Sequence, residues 1–158
     1  MKILSTEDTE YLQSFFDDES MIHTMVDDYC VEAIRPFLGK MLLTANGSIV
    51  IEPVDGVVFL LTVKTMTITE IHMMVLPHKR GKVAVKAAHD AMKWYFEGST
   101  CEKLVGMVPV YNKAALKFAD WVGFEIEGTC KNSYRKDGKL HDQIIFGIEK
   151  EKFLCLQQ

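Results

Sequence analysis

From Glu70 to Phe124 the chain runs through an order of patterns that few folds accommodate. Thr65 to Val75 is rich in Thr, Ile and Val and reads as a strand. It passes through Leu76-Pro77-His78-Lys79-Arg80-Gly81-Lys82, a sharp basic loop, directly into a helical pattern. That helix, Lys82 to Phe96, carries Ala84, Val85, Ala88, Met92, Tyr95 and Phe96 on one face, and Gly98 closes it. Lys103 to Val108 reads as a buried strand. Asn112 then caps a helix that runs through Val122. Gly123 suits a left-handed C-cap, after which Phe124 turns into the core.

The flanking segments complete the pattern. Lys2 to Leu4 is a short strand, and Ser5 with Asp8 three residues on forms a capping-box-like helix start. Tyr11, Leu12, Phe15 and Phe16 follow at helical spacing, and Asp17 to Ser20 break the helix. A second helical stretch is predicted from Met21 to Ile34, ending before Arg35-Pro36. Asn46-Gly47 is a turn, Ser48 to Glu52 a strand, and Pro53 to Gly56 a second turn. Val57 to Val63 is apolar throughout, as in a central strand buried on both faces. Phe124 to Tyr134 and Leu140 to Ile148 are strands joined by a hairpin at Asp137-Gly138. Strands and helices mix without strict alternation, which predicts an α/β fold with a mostly antiparallel sheet flanked by helices.

At 158 residues, this is predicted to be one domain. The composition, 48% hydrophobic and 25% charged, is that of a folded globular protein. A net charge of −4 without a basic run argues against nucleic acid as the partner. Cys30, Cys101, Cys130 and Cys155 form no C-x-x-C pair and lack His at ligand spacing, so no metal is expected. Met1 to Asp8 has no apolar run of signal-peptide length, and no segment approaches the ~20 apolar residues of a membrane span. These features predict a cytoplasmic protein.

The loop at Pro77 to Lys82 has the chemistry of an anion site. A helix N-terminus offers unpaired N–H groups and partial positive charge. Gly81 lets the backbone approach a ligand closely, and His78, Lys79, Arg80 and Lys82 surround it. A diphosphate fits these terms. Read alone, the same residues also describe a basic surface loop with an ordinary turn glycine.

Two motifs together carry a resemblance. Arg80-Gly81-Lys82-Val83-Ala84-Val85 is similar to the Gln/Arg-x-x-Gly-x-Gly/Ala pyrophosphate loop of the GNAT-superfamily N-acetyltransferases. Asn112, Ala115, Gly123 and Phe124 match in register the helix that follows the fifth strand of that family. The resemblance covers nearly the whole chain, and it implies a GNAT-like sheet with splayed central strands. It also implies acetyl-coenzyme A as cofactor, held by Met74, Val75, Leu76, Arg80, Gly81, Lys82, Val83, Ala84, Val85 and Asn112. The chain departs from the family at Val83 and Val85, where glycine, or glycine or alanine, is usual. It departs again at Ala119, where many members have a Tyr that protonates the departing thiolate. Tyr111, Tyr134 and Cys130 lie near in sequence, and none is placed as a substitute.

Glu70, His72 and Met74 share one face of their strand. Family members often carry a catalytic Glu there, which implies Glu70 as the base. His72 is the other candidate, imidazole being the side chain that titrates nearest neutrality. A solvated Glu and a structural His are the plainer readings of the same residues. Pro109 cannot donate to a ladder, so pairing between its strand and the Glu70 strand is expected to stop near it. The oxyanion of acetyl transfer would be held by a backbone N–H near Met74.

Two functions follow. One is direct acetyl transfer to an amine on a small molecule or a protein, by a monomer or a homodimer. The other is a GNAT-fold protein with weak or no catalysis that binds a host or partner protein. Val83, Val85 and Ala119 motivate the second, and the same features resemble small phage-encoded GNAT-like proteins.

Overall fold

A computed structural model describes residues 1–156. One seven-stranded sheet runs through it in the order β1-β2-β3-β4-β5-β7-β6. The strands are β1 (Lys2–Ile3), β2 (Ser48–Val54), β3 (Val57–Val63), β4 (Ile68–Val75), β5 (Lys103–Pro109), β6 (Glu125–Lys136) and β7 (Lys139–Glu149). Every neighbouring pair is antiparallel except β4 and β5, which are parallel. The expected α/β architecture with a mostly antiparallel sheet is what forms.

Two apolar clusters cover the two faces. On one face lie α4 (Lys82–Gly98), α5 (Lys113–Val122) and α6 (Lys150–Leu156), packed on Phe59, Leu61, Leu104 and Ile148. On the other lie α1 (Thr9–Asp17), α2 (Glu19–Met25) and α3 (Leu38–Thr44), packed on Val50, Val58 and Met74. β3 feeds both clusters from alternate residues, which accounts for its unbroken apolar run. Ser5 makes the expected capping box with Asp8.

Several segments differ from expectation. The single helix over Met21–Ile34 does not form. α2 ends at Met25, Val26 is extended, and Cys30–Ile34 is a π-helical turn. Asp27 divides them by accepting the Cys30 N–H at 2.8 Å, a local bond that competes with helix. Arg35–Phe37 is a 3₁₀ turn with Pro36 near its start, so the proline opens a helical region as well as closing one. α3 follows, an element the sequence reading did not assign. Its Leu38 and Gly39 are buried, and Leu42 and Leu43 pack beside them. The turn predicted at Pro53–Gly56 is tighter. β2 continues through Val54 with an irregularity after Ile51, and Asp55-Gly56 alone make the turn. β4 begins at Ile68, three residues later than expected.

Candidate functional site

The site grows out of how β4 and β5 part. Their parallel pairing covers only Ile68↔Lys103, Thr69↔Leu104 and Glu70↔Val105. It ends four residues before Pro109, earlier than Pro109 itself would dictate. β3 and β4, by contrast, stay paired from Thr69 to Val75.

Parity shows which main-chain groups face the gap. Lys64 donates to the Ile68 carbonyl and Leu76 to the Gly56 carbonyl, each at 2.9 Å. Even-numbered residues of β4 therefore bond to β3, and odd-numbered ones face β5. Met73 and Val75 thus turn their N–H and C=O groups toward the gap, while the Met74 N–H faces β3. On β5, Lys103 donates toward β4 at Thr67, and Val110 donates toward β7 at Asp142. Odd residues of β5 therefore face the gap, and Pro109 lacks its N–H on the open side. Gly106 helps set the width there. A Cβ on it would come within 3.3 Å of the Ile71 carbonyl oxygen.

A cavity of about 440 Å³ opens at this parting. It reaches both faces of the sheet. On the α4–α5 side it is walled by Ile71, Met73, Ala88, Ala115, Phe118 and Ala119. On the α1–α3 side it meets Phe16, Met25, Leu38, Leu60, His72 and Tyr134. Asn112 lies at the join, where its side chain accepts from the Ala115 N–H at 3.1 Å and its Nδ2 reaches the Thr24 carbonyl at 3.5 Å. The cap therefore also ties α5 to the end of α2.

The basic loop lies at the C-terminal end of β4. Pro77–Lys79 forms a 3₁₀ turn, and Gly81 stands at φ 78°, ψ −135°, a region closed to residues with a Cβ. The first helical bond of α4 is Val85 N–H to the Gly81 carbonyl, at 3.1 Å. The N–H groups of Lys82, Val83 and Ala84 precede it and have no acceptor in the helix. Ala84 is buried and Val85 packs on the core, whereas Val83 is 45% exposed at the first turn. Both valines have helical backbone, so the departures from the glycine pattern leave the amides in place. Arg80, Gly81 and Lys82 are exposed, and Lys79 leans toward Asp55 at 3.8 Å.

Glu70 and His72 are adjacent on the α1–α3 face. Glu70 bonds His72 Nε2 at 3.3 Å and Lys64 Nζ at 2.5 Å, and its side chain is 16% exposed. The His72 bond, with Lys64 adding to it, holds its carboxyl down at about 2. His72 lines the cavity and Glu70 does not. Met74 points into the α1–α3 core, and Val75 and Leu76 are part-buried.

Sequence reasoning did not assign Tyr134, Cys30, Thr24 and Gln143 to this site, though all line the cavity. Burial raises the Tyr134 hydroxyl, so it stays protonated. Burial and Asp27 push the Cys30 thiol up to about 11. One signal was available. The Asp137-Gly138 turn fixes the pairing Tyr134↔His141, and alternation along β7 then puts Tyr134 on the face of Gln143. The approach of residues 24–30 carries no such signal.

No protein-family profile matches the sequence, and no curated protein does either. Solved structures do. The chain superposes on spermidine N-acetyltransferase from Vibrio cholerae in complex with CoA and spermine, at TM-score 0.79 and 17% identity over 97% of this chain and 96% of that one. It also matches the ribosomal-protein-S5-alanine acetyltransferase from Vibrio fischeri, at TM-score 0.75 and 14% identity over 96% and 93%. The chain has the GNAT acetyltransferase fold.

Proposed function

We propose that this protein is an N-acetyltransferase that moves the acetyl group of acetyl-coenzyme A directly to an amine. The observation that carries the reading is the β4–β5 parting. It opens a cavity through the sheet that reaches Ala88 of α4, the helix whose first turn leaves three amides without a helical acceptor. The similarity of the fold to acetyltransferases, one of them solved with CoA and spermine, supports it.

The residues present fit this acetyl donor. Lys82, Val83 and Ala84 would offer their N–H groups to its diphosphate, with Arg80 and Lys82 supplying charge and Gly81 the turn. Met73 and Val75 would hold its amide-bearing arm by strand-like bonds, with Leu76 alongside and Asn112 at the join. The donor supplies a thioester carbonyl open to attack.

The chain's own residues do the rest. His72, in the cavity wall, takes a proton from the acceptor ammonium, directly or through water. Glu70 positions the imidazole. His72 lines the cavity and Glu70 does not, which gives the base role to His72. The amine nitrogen forms the new C–N bond as the C–S bond breaks, with the electron pair leaving on sulfur. The N–H of Met73 faces the gap and is the donor suited to the charge building on the carbonyl oxygen. Burial makes the Tyr134 hydroxyl a weaker acid than an ordinary phenol, so it does not replace the hydroxyl missing at Ala119, and the departing sulfur takes its proton from water. The Cys30 thiol is held protonated, which favours direct transfer over a covalent enzyme intermediate.

Calorimetric titration with acetyl-coenzyme A, with coenzyme A in parallel, is the test. Micromolar binding that weakens at least tenfold in Arg80→Ala supports the site. Absence of binding up to millimolar ligand defeats the reading. It would favour the alternative that Ala119 motivates, a GNAT-fold protein that binds a partner protein without catalysis.

A further inference from the structure

The part of the cavity between the sheet and the pair α4 and α5 has, among the described residues, no polar side chain in its wall. Thr24, Cys30, His72, Tyr134 and Gln143 line the α1–α3 side, and Asn112 stands at the join. On the α4–α5 side Phe59, Met92, Phe118, Val122 and Phe146 form much of the wall. Ala88, Ala115 and Ala119 keep it open, each contributing only a methyl group.

Connectivity orients this pocket. α4 joins the end of β4 to the start of the parallel β5, so it runs back along the sheet from the basic loop. Ala84, Ala88 and Met92 follow at single turns away from that loop, about 6 Å apart. α5 runs back likewise from Pro109, and β6 then starts at Glu125, which pairs with Gly147 and so lies level with Val105. Val105 belongs to the last β4–β5 pair, with Glu70. Met92 and Val122 therefore lie toward the closed end of the parting. His89 Nε2 reaches the Val122 carbonyl there at 3.3 Å and joins the two helices.

A donor held by the Lys82 to Ala84 amides, Met73 and Val75 enters the parting from its open end. Its thioester stands near the Met73 N–H, with the amine arriving from the His72 side. The apolar pocket continues past that point toward Met92 and Val122. An acetyl group ends in one methyl and leaves this length unused. Each added methylene would leave water for a wall with no polar side chain to desolvate.

We infer that the donor site takes unbranched acyl chains longer than acetyl, of the butyryl to hexanoyl class, and binds them more tightly than acetyl. The inference rests on the coenzyme A reading above. The bond changes are the same: the amine nitrogen bonds to the thioester carbon, the C–S pair leaves on sulfur, and the amine proton goes to His72. The added carbons only pack, and Ala119 is a residue that sets how long they can be.

Calorimetric titration of coenzyme A and its acetyl, butyryl and hexanoyl thioesters tests this without an acceptor. Hexanoyl-coenzyme A should bind at least about tenfold more tightly than acetyl-coenzyme A, at one site per chain from which coenzyme A displaces it. Ala119→Leu, which fills the pocket, should remove most of that gain. A smaller gain for hexanoyl-coenzyme A, or failure of coenzyme A to displace it, overturns the inference and leaves acetyl transfer standing. So does a gain that survives in a folded Ala119→Leu, because the chain then lies elsewhere. The wild-type series and the displacement decide the matter if this variant does not fold. Failure of all four ligands to bind overturns the parent reading, and the inference falls with it.

Discussion

Glu70 and His72 show how one strand face can carry two residues with different jobs. Both were legible as candidates from alternation along β4. Which one faces the cavity was not, because both lie on the same face and only the position of the parting separates them. Glu70 belongs to the last ladder pair, with Val105, and His72 lies two residues beyond it. His72→Gln should therefore lower kcat by about 10²-fold or more while leaving acetyl-coenzyme A affinity nearly intact. Unchanged turnover would remove His72 as the base. Glu70 has a separate signature. Its folded-state pKa of about 2 lies below the ordinary 4.5, so its contribution to stability is complete above pH 4.5 and fades as pH falls toward 2. Denaturation of wild type and Glu70→Gln across that range should give curves that differ most above pH 4.5 and converge toward pH 2. A gap that is constant with pH would mean that the carboxylate is not coupled to its neighbours.

At the scale of elements, the helix pair α1 and α3 depends on one small residue. A Cβ at Gly39 would lie 2.8 Å from the Gln13 nitrogen and 2.9 Å from the Thr9 carbonyl oxygen, both backbone atoms that cannot swing away. Gln13 also uses its side-chain oxygen to accept the Gly39 N–H at 2.9 Å. Helix propensity would favour Ala over Gly by about 1 kcal/mol, while overpacking costs about 1–3 kcal/mol. The clash meets backbone and not a flexible side chain, so it should win. Gly39→Ala should lower the unfolding free energy by an amount in that range, seen as a lower denaturant midpoint with an unchanged slope. A stabilised variant would show that the two helices slide apart freely. The sequence reading missed α3 because Arg35-Pro36 was taken only as a stop, though proline is equally at home in a first helical turn.

At the scale of the molecule, the N-terminal half is tied to the far hairpin between β6 and β7. Asp28 caps the turn between β6 and β7 through two amides, and Lys136, 6% exposed, bonds His23 at 3.2 Å. These residues are more than a hundred positions apart. Asp28→Ala should leave protection in β3 and β4 intact and speed hydrogen exchange at the Asp137 and Gly138 amides by roughly an order of magnitude. Equal exchange in the two proteins would mean that the hairpin holds its shape without the clasp.

The sequence by itself determined the strands, the two capped helices, the Gly81 and Gly123 turns and the hairpin at Asp137-Gly138. Each of these is written in local terms: alternation, a cap within three residues, or a φ that only glycine accepts. The same local signals, matched to a known pattern, pointed to the fold. Tertiary structure alone decided where β4 and β5 part, which amides face the gap, and that Tyr134 and the segment from Thr24 to Cys30 meet in one cavity. Those outcomes depend on the whole sheet's twist and on contacts between distant segments, where each residue's partner is chosen by packing. No spacing along the chain records that choice.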